Sequence, residues 1–171
     1  EQALILLYRI RDDARQRLAQ LKQVQRLQTY DDLIEEVANA LEGPYGETLA
    51  HNLRGQYAVA LVDEFQDTDA RQWSIFRRVF ADSEAADAGV PALFLIGDPK
   101  QAIYGFRGGD VHTYLAAKAE AIEAPPLVHN FRSRPSVLRA IEALYTQAGD
   151  QAFVDEGIRF QPVQPGAGNA D

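Results

Sequence analysis

Apolar side chains recur at Leu4, Leu7, Ala14, Leu18, Leu21 and Val24, near helical spacing and with no Gly or Pro between them. One long amphipathic helix is therefore expected over residues 2–27. Thr29 offers a hydroxyl cap to a second helix, from Tyr30 to about Leu41, which Gly43-Pro44 ends. A short third helix is expected over 47–54. The pattern then changes character. Ala58 to Val62 is an unbroken apolar run, too short for a helix and bounded by polar groups, which reads as a buried strand. Helical spacing returns from Ala70 to Phe80, with Trp73, Phe76 and Val79 (or Phe80) on one side. Residues 81–91 read as loop and Ala92 to Ile96 as a second buried strand. Asp110 caps a helix expected to reach Ala124, where Pro125-Pro126 stops it. A third strand over Leu127–His129 and a helix from Pro135 to Gln147 follow. Phe153 to Val163 reads as short mixed strand or extended chain, and the tail from Gln164 as disordered.

Strand–helix alternation of this kind predicts an α/β fold with a parallel sheet. At 171 residues the chain holds one ordinary domain or parts of two, and Pro125-Pro126 is the expected seam. A hydrophobic content of 46% with 25% charged residues implies a real core. No apolar run is long enough for a membrane span, and no signal peptide is recognisable at the start. The absence of Cys excludes disulfides and thiolate metal sites and fits a reducing compartment. Net charge of −8 argues against gripping nucleic acid with the whole surface, though not against a local basic groove. Arg9, Arg11, Arg15, Arg17, Lys22 and Arg26 outnumber Glu1, Asp12 and Asp13 in the leading helix, and are expected on a solvated face.

Chemistry concentrates where the first strand ends. Asp63, Glu64, Asp67 and Asp69 crowd "DEFQDTD" directly behind Ala58–Val62. Like charges this close repel, and they become tolerable if they face a cation and its waters. In a parallel α/β sheet ligands collect at the carboxyl ends of strands, which is where Asp63, Glu64 and, after the second strand, Asp98 fall. Asp63 can hold a hydrated Mg²⁺ beside a nucleotide, and Glu64 can orient and deprotonate a water. Simple helix capping gives the same pattern, and Asp67 and Asp69 are expected to act as first-turn or cap acids for the helix at 70–80.

Two further stretches carry polar chemistry. "GDPKQAIYGFRGGD", residues 97–110, packs glycines around Lys100, Gln101, Tyr104, Phe106 and Arg107. Gln101 can donate to a phosphate oxygen. Two aromatics beside an arginine suit stacking on unpaired bases, although a glycine-rich turn with core aromatics would look the same. In "HNFRSRP", residues 129–135, Arg132 is a forked, permanently charged donor for a phosphate, or an ordinary loop arginine.

The order DEFQDTD, GDPKQAIYGFRG, NFRS resembles motifs II, III and IV of the superfamily 1 DNA helicases of the UvrD/Rep type. Within them the 97–110 string, "TYDDLIEEVANAL" and "FVDEGIRFQPV" are most similar to the RecB group, the exodeoxyribonuclease V beta chains. AddA-type helicase–nucleases are the nearest rivals. The resemblance implies an incomplete P-loop NTPase (RecA-like) parallel sheet flanked by helices, with a helical N-terminal insertion segment. It implies residues 1–28 as the end of a 1B-like insertion, 29–124 as later domain 1A, 125–163 as the opening of domain 2A, and 164–171 as a disordered tail. By the same resemblance Asp63 binds Mg²⁺, Glu64 activates water for ATP hydrolysis, and Gln101 senses the γ-phosphate. Tyr104, Phe106 and Arg107 would line the path of single-stranded DNA, and Arg132 would act as an arginine finger. Phe106 stands where UvrD-like members usually carry Trp.

No G-x-x-x-x-G-K-[ST] phosphate loop occurs in the sequence, nor does any Met, and it begins at Glu1. The expectation is a central piece of a longer, cytoplasmic, ATP- and Mg²⁺-dependent DNA helicase and exonuclease. That parent would act in double-strand-break repair on single-stranded and duplex-end DNA, with RecC and RecD as partner subunits. By itself the piece is expected to hydrolyse ATP negligibly and to bind single-stranded DNA weakly. A different class of reading is a degenerate helicase-like module that binds DNA or protein without ATPase activity.

Overall fold

The computed structural model describes residues 2–81, 92–103, 105, 109–149, 152–153 and 157–168. Two compact units make up the chain. The first comprises Glu1–Ala60 and Ser74–Ala92, the second Leu61–Trp73 and Leu93–Asp171. The expected seam at Pro125-Pro126 falls inside the second unit.

Helices α1 (Gln2–Gln25), α2 (Tyr30–Glu42) and α3 (Gly46–Gln56) build most of the first unit. Thr29 accepts from the Asp32 N–H while the Asp32 carboxylate accepts from the Thr29 N–H, a reciprocal box that starts α2 where the sequence places it. Gly43 closes α2 as expected. Ala38, Leu41 and Ala50 are buried between α2 and α3, with Val79 and Phe80 packed in from the turn that follows α4. That turn is a correction: α4 is α-helical only over Ala70–Phe76 and widens to a π-turn over Arg77–Ala81. The Arg54 guanidinium donates to the Val79 carbonyl at 3.2 Å and pairs with Glu47 at 2.6 Å, fastening α3 to the widened turn. In α1 no residue is buried, so its apolar stripe is covered by nothing among the described residues. Arg9, Arg11, Arg15, Arg17 and Arg26 lie on the surface as expected, with local pairs Arg11–Asp12 and Arg17–Asp13, whereas Lys22 is part-buried and pairs with Asp32 of α2.

Strands β1 (Val59–Val62) and β2 (Ala92–Leu95) form a two-stranded sheet. Ile96 donates to the Val62 carbonyl and accepts from the Phe65 N–H, each at 2.9 Å. One residue bonding two different partners is the parallel pattern, here stretched by one residue. The strand was expected to be buried, yet Leu61 is 67% exposed, because a two-stranded sheet leaves much of both faces uncovered. Helix α5 (Val111–Glu120) starts on Asp110 as expected, but ends at Glu120, with Ala121 as its cap, rather than reaching Ala124. Residues 122–128 run without regular structure to β3 (His129–Asn130), and α6 (Pro135–Ala148) crosses to β4 (Gln164–Pro165), which pairs parallel to β3. Gln164–Gly166, expected in a disordered tail, is therefore ordered: its amides bond to Val128 and Asn130, and Gly166 lies against the Phe131 ring where no Cβ would fit. The described chain is thus a helix-rich α/β structure with small parallel sheets. No described helix is long and apolar enough to cross a membrane.

Candidate functional site

At the end of β1 the backbone reverses sharply. Glu64 is left-handed (φ 51°, ψ 40°), a conformation that costs a non-glycine residue roughly 1–2 kcal/mol. The reversal throws Phe65–Asp67 into a 3-10 turn. Phe65 offsets the strain, being completely buried, edge-on to Trp73 at 5.4 Å and tilted against Tyr114 at 6.0 Å. Both Asp63 and Glu64 are left at the surface. Asp63 Oδ1 accepts from the Glu64 N–H at 2.9 Å, which fixes that carboxylate and leaves Oδ2 for another partner.

Gln66, only 2% exposed, ties this turn to the next strand's end. Its Nε2 donates to Glu64 Oε2 at 2.6 Å, and its Oε1 accepts from the Asp98 N–H at 3.0 Å. Gly97 makes room for that amide: a Cβ there would come within 2.7 Å of Gln66 Oε1 and 3.1 Å of the Gln66 and Phe65 nitrogens. Asp98 then caps the 3-10 turn Pro99–Gln101, accepting from the Lys100 N–H at 3.0 Å and from Lys100 Nζ at 2.7 Å. Gln101 Nε2 donates to Asp98 Oδ2 at 3.2 Å. Partial burial pushes the Asp98 carboxyl up, but the Lys100 ammonium, the Lys100 N–H and the Gln101 amide together hold it below the usual range. Beside it, Tyr114 donates its hydroxyl to the Gly97 carbonyl, and burial raises that phenol, opposed by Lys118 and helped by Asp98 and Glu123.

The other acids divide. Asp69 caps α4 as expected: its carboxylate accepts from the Gln72 N–H at 2.7 Å, and Gln72 returns a bond to the Asp69 N–H at 3.1 Å. Asp67 does not cap the helix. It sits in the 3-10 turn with Oδ1 buried and without a hydrogen-bond partner. Thr68 is buried beside it and accepts from the Asp110 N–H, which brings the cap of α5 to the same turn.

Asp63, Glu64 and Gln101 are thus brought into one hydrogen-bonded assembly through Gln66 and Asp98. Arg132 is not part of it: it lies exposed in the bend after β3, where Asn130 Oδ1 accepts from the Arg132 and Ser133 amides at 2.9 and 2.8 Å. No hydrogen bond or ion pair joins Arg132 to the acid turn among the described residues. Tyr104, Phe106 and Arg107 lie outside the described residues. Sequence reasoning missed Gln66 altogether. Its partner at Asp98 is 32 positions away, and one sequence carries no sign of that pairing.

The donor set suits Mg²⁺ held chiefly by phosphate and water. One surface carboxylate, Asp63, has an uncommitted oxygen, and the described residues contain no group of three or more acids or histidines that would cage a metal.

Comparisons with known proteins agree with one another. Residues 7–122 match the model of the UvrD/REP helicase N-terminal domain. RecBCD enzyme subunit RecB of Haemophilus influenzae is 37% identical over 159 residues, 93% of this chain and 13% of that protein. The subunit of the same name from Escherichia coli (strain K12) is 41% identical over 140 residues, 82% of the chain and 11% of that protein. The Mycobacterium tuberculosis one is 42% identical over 123 residues, 72% and 10% respectively. The chain therefore spans about one-eighth of these relatives or less.

Proposed function

The chain belongs to the UvrD/REP helicase family, and from that premise we propose that it is the stretch of a RecB-type motor carrying motifs II, III and IV. In this reading its small parallel sheets are part of a RecA-like P-loop fold. Residues 1–28 end a 1B-like insertion, 29–124 are the later part of domain 1A, and 125–163 open domain 2A. The motor couples ATP hydrolysis to movement along single-stranded DNA. The whole protein is a cytoplasmic helicase and exonuclease that acts at duplex ends with RecC- and RecD-like partners. The phosphate loop that this sequence lacks comes from elsewhere in that protein, so the stretch alone turns over no ATP.

One observation supports this reading above the others: Glu64, at the end of β1, is bonded through a single buried amide to the cap of the turn that carries Gln101. A pair of helix caps would have no need of that bond. Asp63, whose Oδ2 is uncommitted, would hold Mg²⁺, which would supply neutralisation of phosphate charge. Glu64 Oε2 is occupied by Gln66, so Oε1 is the oxygen that takes a proton from the attacking water. Gln101, restrained by Asp98, donates its remaining amide hydrogen to the terminal phosphate. Arg132, its backbone fixed by Asn130 and its guanidinium in solvent, meets the charge that develops on that phosphate. Tyr104, Phe106 and Arg107 stack on and support the single strand.

Replacing Glu64 by Gln in the full-length protein is expected to lower DNA-stimulated ATPase turnover by roughly 10²- to 10⁴-fold. Turnover near that of the parent would overturn the assignment of the acid turn to ATP hydrolysis.

A further inference from the structure

We infer that Gln66 is a positioning residue for the hydrolytic step, setting the Glu64 carboxylate in place and making that place depend on the 97–101 turn. The inference rests on the proposed role of Glu64 and adds a residue to it.

Glu64 needs such a partner. It is a surface carboxylate with three rotatable side-chain bonds on a strained backbone, and left alone it would sample many rotamers. A general base must instead stay within hydrogen-bond reach of its water. Gln66 is built to hold it. The side chain is buried, and its orientation is dictated by its partners. The Asp98 N–H can only donate, so Oε1 faces it, and Nε2 must then face the Glu64 carboxylate. Gly97 keeps the space that this amide occupies.

The residue type also fits the task. A Lys or Arg at this place could also hold Glu64, but it has no acceptor for the Asp98 N–H. A neutral amide orients the carboxylate without setting a formal charge beside it, and it engages only Oε2. Because the other end of the same amide is bonded to Asp98, the cap of the turn bearing Gln101, a shift of that turn moves the donor that Glu64 leans on.

The test is steady-state ATPase of the full-length protein with its partner subunits and single-stranded DNA, alongside equilibrium binding of a non-hydrolysable ATP analogue. Gln66→Met keeps the volume and removes both bonds. The expected result is a kcat loss of roughly 10- to 100-fold with analogue affinity within about twofold, because the geometry of the base is lost while nucleotide contacts are not. A kcat within about twofold of the parent overturns the inference, as does a loss of analogue binding in proportion to kcat, which marks local collapse. Should Gln66→Met not yield soluble enzyme, Gln66→Glu decides in the same assay. It keeps the length and an acceptor for the Asp98 N–H but sets a second carboxylate against Glu64, and the same split is expected. Glu64→Gln, run in parallel, separates the two claims. If it retains turnover, the functional reading itself fails. If it abolishes turnover while both Gln66 variants retain theirs, only the positioning role fails.

Discussion

Helix α1 and the turn after β1 make an instructive pair. The first is the longest element in the chain, 24 residues with a regular apolar stripe, and it buries none of them. The second is three residues long, begins on a strained glutamate, and buries Phe65 completely and Gln66 almost so. Periodicity records which side chains would welcome a cover, not whether one is present. Burial records where several elements meet, and at Phe65–Gln66 the ends of β1 and β2, the start of α4 and the first turns of α5 all do so.

If the contrast holds, substitutions should separate the two regions widely. Phe65→Ala removes a fully buried ring with two aromatic partners, and a loss of about 3–5 kcal/mol is expected in denaturant unfolding. A loss under about 1 kcal/mol would mean that the turn is not the centre of its unit. Gly97→Ala should cost about 1–3 kcal/mol, since the added methyl meets the Gln66 amide and two backbone nitrogens. Little change there would show that Gln66 has room to move. At the other extreme, Leu21→Ser on α1 should shift stability by less than about 0.5 kcal/mol, Leu21 being 54% exposed. A larger loss, measured the same way, would reveal a cover on α1.

Acid offers a finer discrimination, expressed as titration rather than as a stability difference. The Lys22 ammonium, with the Thr29 N–H and hydroxyl, holds the Asp32 carboxyl at about 2, against an ordinary 3.8. A folded-state value below the unfolded one means that folding favours the ionised form. The contribution is therefore fully present above pH 3.8 and fades as pH falls through about 2. Carboxyl chemical shifts of Asp32 should follow that course, and Lys22→Gln should move the midpoint back up. An unchanged midpoint would mean that the Lys22–Asp32 pair at 2.7 Å does not persist in solution.

Local chemistry was the legible part of the sequence. Thr29, Asp69 and Asp110 announce helix starts because a cap bonds amides two or three residues on, and all three do so. Element types followed for the same reason, with apolar spacing deciding helix or strand. What failed was everything that depends on distant neighbours. The apolar run at β1 was expected to be buried, but burial needs flanking layers, and Leu61 has few. Asp67 looks like one more cap acid in a row of them, yet its place in the 3-10 turn points one oxygen inward. The tail from Gln164 has the composition of a disordered segment, yet Gln164–Gly166 is ordered by β3 and Phe131, which lie more than thirty residues earlier. In the candidate site the outer carboxylates were readable and the buried amide behind them was not. Residues that meet solvent advertise their chemistry by type, whereas Gln66 matters by where it points.

The pairing of β3 with β4 has a consequence in time. Two amide bonds, from Gln164 to Val128 at 2.7 Å and from Gly166 to Asn130 at 2.8 Å, close a circuit that contains the whole of α6. Closing so long a circuit costs chain entropy before any contact repays it, whereas a helix such as α6 gathers its bonds locally as it grows. Assembly of this end of the chain is therefore expected to run from helix to strand, and the Gln164 and Gly166 amides should exchange with solvent sooner than those inside α6.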